Sequence, residues 1–212
     1  MRLQSLRIPA IILPIALALV LLAGCGGSGS NSGQTTGTTK TYVAVADWEN
    51  NRVLIYDSPF TTDMNASVVL GQSDFTTGVQ ATSATGLSYP RATAIGGNGN
   101  LWVADEYNSR VLEFKTPFTS GMSASLVIGQ SDFTTAGSST SQNGLYAPNG
   151  VAFDSGGNLW VADRFNNRTL EFTPPFTTNQ GASLVLGQES FTTNTTATTA
   201  TGQALPMGVT AF

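Results

Sequence analysis

The sequence has no histidine, a single cysteine and few charged residues. Of its 212 residues, 10% are charged, and the formal net charge is −4. Without histidine the chain cannot form a Ser-His-Asp or Cys-His catalytic site, or a zinc or iron centre held by histidines. The absence of a basic cluster argues against nucleic acid as a partner. The sequence indicates no cofactor and no metal site, and it leaves carboxylates as the only candidates for catalysis.

An apolar run near the N-terminus ends at the one cysteine. Arg2 and Arg7 precede the run. The run, Ile8–Leu22, has 15 residues, fewer than the about 20 residues that a membrane span needs. The motif LLAGC, ending at Cys25, resembles the lipobox of bacterial lipoproteins. The resemblance implies a signal peptide over 1–25 and a lipid on Cys25. It also implies localisation to the cell envelope, at the outer membrane or cell surface. The alternative is an ordinary secretory signal with an unrelated cysteine.

Residues 26–40 are rich in Gly, Ser and Thr and contain no apolar side chain that could be buried. This composition predicts a flexible tether. The remaining chain, 41–212, is long enough for one domain with a core.

A repeat with a period of 58 residues fills 41–212. The phrases VAVADWENNR, LWVADEYNSR and LWVADRFNNR stand at equal spacing and divide the region into copies of about 42–100, 101–158 and 159–212. No insertion disturbs the register. A fixed period of this kind indicates a solenoid, a propeller or an array of repeats.

Each copy contains up to four short apolar runs, which we label strands a to d. In the clearest unit, which begins shortly before residue 159, they are predicted at 150–154, 159–163, 168–172 and 183–188. Runs b, c and d lack clear alternation, which indicates strands buried on both faces. Repeated sheets of this type are typical of propeller blades. We therefore predict an all-β fold of about three β-propeller-type blades, each with four antiparallel strands.

The segment GVAFDSGGNLWVADRFNNRTLEF, 150–172, resembles the NHL repeat, a β-propeller repeat of bacteria and animals. The resemblance extends over all three copies. It implies a role in binding or scaffolding, since most members of the family have such roles and a minority of related propellers are enzymes.

Three blades are fewer than the 4–8 that usually close a propeller. The first copy starts at strand b, 42–47, and the last run, 208–212, reads as the start of another strand a. One explanation is that the chain is a fragment of a longer product. The other is self-association through open blade edges, in which two chains close one ring.

An Asp and an Arg recur in every copy at the ends of strands b and c. One interpretation makes the Asp residues acids or ligands and the arginines anion-binding groups. The favoured interpretation is structural, because Asp and Asn side chains commonly cap tight turns. The predicted structural-turn residues are Asp47, Arg52, Asp105, Arg110, Asp163 and Arg168. Trp102 and Trp160 in strand b are likewise expected to pack between blades.

The b–c turns and d–a loops should emerge on the same edge of the blades, which we call the rim. Aromatic and charged side chains that change between copies on the rim suggest contact with a partner, although such positions can also simply tolerate variation. The candidate binding residues are Trp48, Glu49, Arg91, Glu106, Tyr107, Asn149, Arg164, Phe165 and Met207. Asp74, Asp132 and Glu189 in the loops are a weaker candidate for Ca²⁺, because their spacing matches no calcium loop.

These observations favour a membrane-anchored, non-enzymatic binding or scaffold module whose partner is a protein or glycan. The alternative is a metal-dependent propeller enzyme of the lyase or lactonase type, with most of its catalytic residues outside this chain. A third hypothesis is a purely structural element of the cell envelope.

Overall fold

The computed structural model describes residues 40–212. The predicted signal peptide, the predicted lipidation site Cys25 and residues 26–39 of the predicted tether lie outside the described residues. Within 40–212, no helix is long and apolar enough to cross a membrane.

The described chain forms three antiparallel sheets whose strands are neighbours in sequence order. Each sheet is one blade. Blade 1 comprises β1 (Tyr42–Asp47), β2 (Arg52–Asp57) and β3 (Val68–Leu70). Blade 2 comprises β4 (Pro90–Ile95), β5 (Leu101–Asp105), β6 (Arg110–Phe114) and β7 (Leu126–Ile128). Blade 3 comprises β8 (Pro148–Phe153), β9 (Leu159–Asp163), β10 (Arg168–Phe172) and β11 (Leu184–Leu186). The prediction of an all-β fold built from propeller-type blades is confirmed.

Three details differ from the sequence prediction. Strand a of blade 3 spans Pro148–Phe153, and its strand d is only Leu184–Leu186. The run 208–212 is not a strand. Its start nevertheless lies against β8: a Cβ placed on Gly150 would be 2.8 Å from the Cα of Gly208.

The core consists of two apolar layers, one between each pair of neighbouring blades. Leu101 and Val103 of β5 pack in the layer with blade 1, whereas Trp102 and Ala104 pack in the layer with blade 3. Successive side chains of a strand point to opposite faces, so a strand covered on both faces has no polar alternation. This arrangement accounts for the continuous apolar runs in the sequence.

Trp102 illustrates the packing between blades 2 and 3. Its ring meets Phe153 edge-to-face at 5.8 Å and Phe176 at 4.9 Å between ring centroids. Its counterpart Trp160 is only partly buried and donates from Nε1 to Asp154 Oδ2 at 2.9 Å. The same residue type is thus a core residue where a blade covers it and a boundary residue where none of the described blades does.

No element within residues 40–212 covers the far face of blade 3. Leu184 and Leu186 are 39% and 46% exposed, whereas their blade 2 counterparts Leu126 and Ile128 are 7% and 0% exposed. Self-association through this face remains a prediction.

Candidate functional site

The recurring Asp and Arg form an ion pair at the rim end of each blade. Arg110 Nε donates to Asp105 Oδ2 at 2.7 Å, and neither side chain is exposed. Arg168 and Asp163 form the same buried pair at 2.7 Å. In blade 1 the pair of Arg52 and Asp47 has the same length, but its side chains are 17% and 25% exposed. The pairs join the last residue of one strand to the first residue of the next.

The buried Asp105 carboxylate is fully engaged in holding the turn after β5. Its Oδ1 accepts the Ser88 backbone N–H at 2.6 Å, and its Oδ2 also accepts from Asn108 Nδ2 at 2.8 Å. Burial raises the pKa of the Asp105 carboxyl, and the Arg110 charge and these hydrogen bonds oppose that shift. Burial raises the pKa of Asp163 in the same way. The Asp105 and Asp163 carboxylates therefore both serve to hold the turns that follow them.

Arg110 connects blade 2 to the loops on both of its sides. Its Nη2 donates to the carbonyls of Ser83 and Gly86, both at 3.0 Å, and its Nη1 donates to Phe133 O at 2.6 Å. Ser83 and Gly86 belong to the loop before β4, and Phe133 belongs to the loop after β7. The turn after β5 and these two loops therefore lie together on the rim.

Four residues that change between the copies meet on this rim. We call Trp48, Arg91, Glu106 and Arg164 the rim cluster. Its centre is Glu106, which is 1% exposed. Its carboxylate accepts from Arg91 Nε at 2.6 Å, from Arg164 Nη1 at 3.2 Å and from Trp48 Nε1 at 3.3 Å. The cluster spans all three blades and carries two positive charges against one negative charge.

Arg91 and Asn149 reach the rim through an irregularity in the sheet. The pairing of β4 with β5 shifts between Pro90 and Ala92, and the pairing of β8 with β9 shifts between Pro148 and Gly150. Each shift leaves one extra residue, Arg91 or Asn149, at a β-bulge. Bulges redirect a side chain and are frequent next to functional sites.

The residue before each recurring proline has a positive φ. Tyr89, Ala147 and Leu205 have φ values of 54°, 53° and 49°. Residues with a Cβ seldom adopt this left-handed conformation, which costs on the order of 1–3 kcal/mol. The Tyr89 N–H is held by Asn51 Oδ1 at 2.9 Å, and the Leu205 N–H by Asn167 Oδ1 at 2.9 Å. The frame thus imposes a strained backbone next to the variable positions 91, 149 and 207.

Two buried donors of blade 3 have no partner within the part of the chain that the structure describes. They are Asn149 Nδ2 and Arg164 Nε. Asn149 is 7% exposed. Leaving a buried donor unsatisfied costs about 1–3 kcal/mol, so each such group in a folded chain requires an explanation.

Aromatic rings surround the rim cluster and are partly exposed. Trp48, Tyr89 and Tyr107 form a stack with centroid distances of 4.8 and 4.3 Å. Tyr146 and Phe165 form a second pair at 5.0 Å. Tyr107, Tyr146 and Phe165 are 58%, 41% and 38% exposed.

The remaining two candidate residues are exposed. Glu49 belongs to the turn after β1, and Met207 follows Pro206 near the end of the chain. The rim therefore combines charged groups, aromatic rings and unsatisfied donors.

The loop carboxylates are held in local turns. Asp74 Oδ1 accepts from the Thr76 side chain at 2.7 Å and from the Thr76 N–H at 2.8 Å, and these bonds lower its pKa to about 2. Asp132 makes the same contacts with Thr134, and its pKa is also lowered. Within 40–212, no group of three Asp, Glu, His or Cys side chains could hold a metal ion together.

Comparison with known families identifies the repeat. The family model for the NHL repeat matches residues 87–114 and 145–170. The chain contains NHL repeats. Each matched segment runs from the end of a rim loop into the third strand of its blade, and so includes the bulge, the rim turn and the Asp–Arg pair. No curated protein matches the chain.

Solved structures similar to this NHL-repeat chain include virginiamycin B lyase from Staphylococcus aureus. The selenomethionine-substituted lyase is 14% identical, with a TM-score of 0.46, and the match covers 81% of this chain and 42% of the lyase. A catalytically inactive form of the lyase with quinupristin is 15% identical, with a TM-score of 0.45 and coverage of 82% and 43%. A luciferin-regenerating enzyme is 13% identical, with a TM-score of 0.35 and coverage of 72% and 60%. The chain thus spans about two fifths of the lyase and three fifths of the other enzyme.

Proposed function

We propose that this NHL-repeat protein is a non-enzymatic binding or scaffold module whose partner, a protein or glycan, contacts the rim. One observation carries the proposal. The side chains that recur in every copy are engaged in the frame, as in the Asp105–Arg110 pair, whereas the side chains that change converge in the rim cluster. Many folds carry a binding site in this way, because a shared frame presents different side chains at one place.

The exposed aromatic rings fit this function. Tyr107 and Phe165 offer large, rigid surfaces beside fixed charges, and aromatic and Arg side chains dominate the energetics of protein interfaces. Their exposure leaves both rings open to a partner.

We further propose that a lipid on Cys25 anchors the protein in the cell envelope. Its test is metabolic labelling with an alkyne fatty acid, followed by mass spectrometry of the N-terminal peptide. We expect label on Cys25 of the wild type and none on C25A. A protein that keeps its apolar leader and carries no label on Cys25 would contradict the anchor.

The binding function can be tested by retention of the full chain, in detergent micelles, on immobilised envelope glycans and envelope proteins. The informative variant is the double substitution Y107A/F165A, which truncates both exposed rings. The matched control is F60A, because Phe60 is an aromatic residue that is 44% exposed and lies in the loop after β2, at the edge opposite the rim. We expect retention by the wild type and by F60A, and at least tenfold weaker retention of the double variant at an unchanged melting temperature. Equal retention of all three proteins would contradict the proposal.

The enzyme alternative makes a different claim and has its own test. A lyase or lactonase of this type would bind metal through carboxylates, partly from residues outside this chain. The experiment is elemental analysis of the purified full chain combined with a lactonase and lyase activity screen. Stoichiometric tight metal together with turnover would replace the binding proposal with the enzyme.

A further inference from the structure

We propose that Asn149 and Arg164 form a subsite for a carboxylate group of the ligand. The inference rests on the proposed binding function and names the chemistry of what the rim binds. It follows from the two buried donors without partners in the described chain, Asn149 Nδ2 and Arg164 Nε.

In blade 2, the positions equivalent to Asn149 and Arg164 carry side chains of opposite charge that pair with each other. Arg91 occupies the bulge of β4, and Glu106 follows the buried Asp105. These two side chains form an ion pair at 2.6 Å. In blade 3 the same two positions are held by Asn149, at the bulge of β8, and Arg164, which follows Asp163.

Blade 3 therefore has two donors where blade 2 has a donor and an acceptor. An Asn amide nitrogen and an Arg guanidinium nitrogen can only donate, so these two atoms cannot satisfy each other, and the Asn149 side-chain oxygen does not accept from Arg164 Nε in the described chain. A ligand carboxylate would supply the missing acceptor and would do for blade 3 what Glu106 does for blade 2. Arg favours this partner because its planar donors match the two oxygens of a carboxylate.

The ligand reaches these donors by displacing the Arg164 side chain, since both donor atoms lie below the surface. Arg164 is suited to such a movement. Its side chain is 24% exposed and is bound to Glu106 by one hydrogen bond of 3.2 Å, longer than the 2.6 Å bond of Arg91. Its guanidinium also lies over the Phe165 ring, 4.7 Å from the ring centroid.

The frame fixes the backbone at Asn149. Ala147 is held at a φ of 53°, two residues before Asn149, and the bulge begins at Pro148. The same conformation recurs at Tyr89 and Leu205 in the other copies, so it belongs to the frame. Asn149 is therefore held by the frame, while Arg164 is the movable partner.

The test is isothermal titration calorimetry on the full chain in detergent micelles. The probes are D-glucuronate and N-acetyl-L-glutamate, with D-glucose as the neutral control. We expect both carboxylates to bind at least tenfold more tightly than glucose. The more tightly bound of the two identifies a sugar or a peptide as the source of the carboxylate.

The decisive variant is N149D, which places a carboxylate beside Arg164 within the chain itself. We expect it to lower the affinity for glucuronate at least tenfold and to raise the melting temperature by at least about 2 °C, because the buried Nε of Arg164 gains an acceptor. R164Q should also lower the affinity for glucuronate. K115A should keep this affinity, because Lys115 is exposed and follows β6 at the edge of the blade opposite the rim. Glucose binding equal to glucuronate binding, or unchanged affinity in N149D, would overturn the subsite.

A spectroscopic measurement covers the case in which a variant does not fold. The ¹⁵Nε resonance of Arg164 in the wild type should shift on addition of glucuronate, whereas the Arg110 resonance should not. An unshifted Arg164 resonance at saturating glucuronate would also overturn the subsite. If the subsite fails but Y107A/F165A still loses its partner, the proposed rim function stands. Failure of the subsite and failure of the rim function are therefore distinguishable.

Discussion

Arg110 and Asp105 form an ion pair of 2.7 Å that has no exposed surface. The same arginine binds carbonyls in the loops on both sides of its blade. The pair therefore closes the rim turn and also fixes the neighbouring loops. It recurs at Asp163 and Arg168 with the same length.

Removing the charge of Asp105 should destabilise the fold strongly. In D105N the buried Arg110 loses its counter-charge, and breaking a buried pair on one side costs about 3–5 kcal/mol. Urea unfolding of the full chain measures this loss.

Blade 1 provides the matched control for that experiment. Asp47 and Arg52 form a pair of the same length that is partly exposed to solvent. D47N should cost roughly 1 kcal/mol, as for pairs near the surface. Equal losses in D47N and D105N would show that burial does not determine the strength of the pair.

The a–b turn of blade 3 should contribute stability that depends on pH. Asp154 accepts hydrogen bonds from Trp160 Nε1 and from the N–H groups of Asn158 and Gly156, which lower its pKa to about 2. A lowered pKa gives stability that is complete above about pH 4 and is lost as the pH falls towards 2. The stability difference between wild type and D154N, followed by thermal unfolding, should shrink over this interval. A constant difference from pH 7 to pH 2 would contradict the assignment.

Ala147 should tolerate glycine better than an ordinary buried alanine does. Its φ of 53° strains any residue with a Cβ, and glycine removes that strain. In A147G this gain offsets the loss of a buried methyl group and the added freedom of the unfolded chain.

The control for A147G is A104G in the middle of β5, where Ala104 is fully buried in a regular strand. There glycine costs about 1–2 kcal/mol through lost packing and chain entropy. We expect A147G to be more stable than A104G by at least about 1 kcal/mol. The reverse order would show that the left-handed backbone at position 147 is not strained.

The blades could be predicted from the sequence because their signals are repeated. Equal spacing of Asp105 and Asp163 gave the period, and the apolar runs indicated strands covered on both faces. The four residues of the rim cluster were among the predicted rim candidates, but their contacts could not be predicted, because these contacts join residues of different blades. Nothing local in the sequence shows that Arg164 and Trp48 both reach Glu106.

The left-handed residues before the recurring prolines were missed for another reason. A positive φ at Tyr89 and Ala147 conflicts with the preference of residues before proline for extended backbone. The frame overrides that preference through hydrogen bonds to distant side chains, such as the bond that the Tyr89 N–H donates to Asn51 Oδ1. The recurring proline preceded by different residues was the one available signal.

The uncovered face of blade 3 should promote association between copies of the chain. Leu184 and Leu186 expose apolar surface that the equivalent residues of blade 2 bury. Sedimentation velocity of the wild type in a non-denaturing detergent should show a dimer whose fraction rises with concentration. L184S/L186S should remain monomeric, and V79S, at a loop residue that is 69% exposed, should behave as the wild type. A monomeric wild type at all concentrations would contradict this expectation.

The central claim is that the rim, and not the opposite edge, contacts the partner. Site-specific photo-cross-linking in living cells tests it, with a benzophenone amino acid placed at Tyr107 on the rim or at Asn98 in the a–b turn of the same blade. Both positions are exposed and belong to opposite ends of β5. The account predicts a discrete cross-linked product from position 107 and none from position 98. Products from position 98 alone, or the same products from both positions, would contradict it.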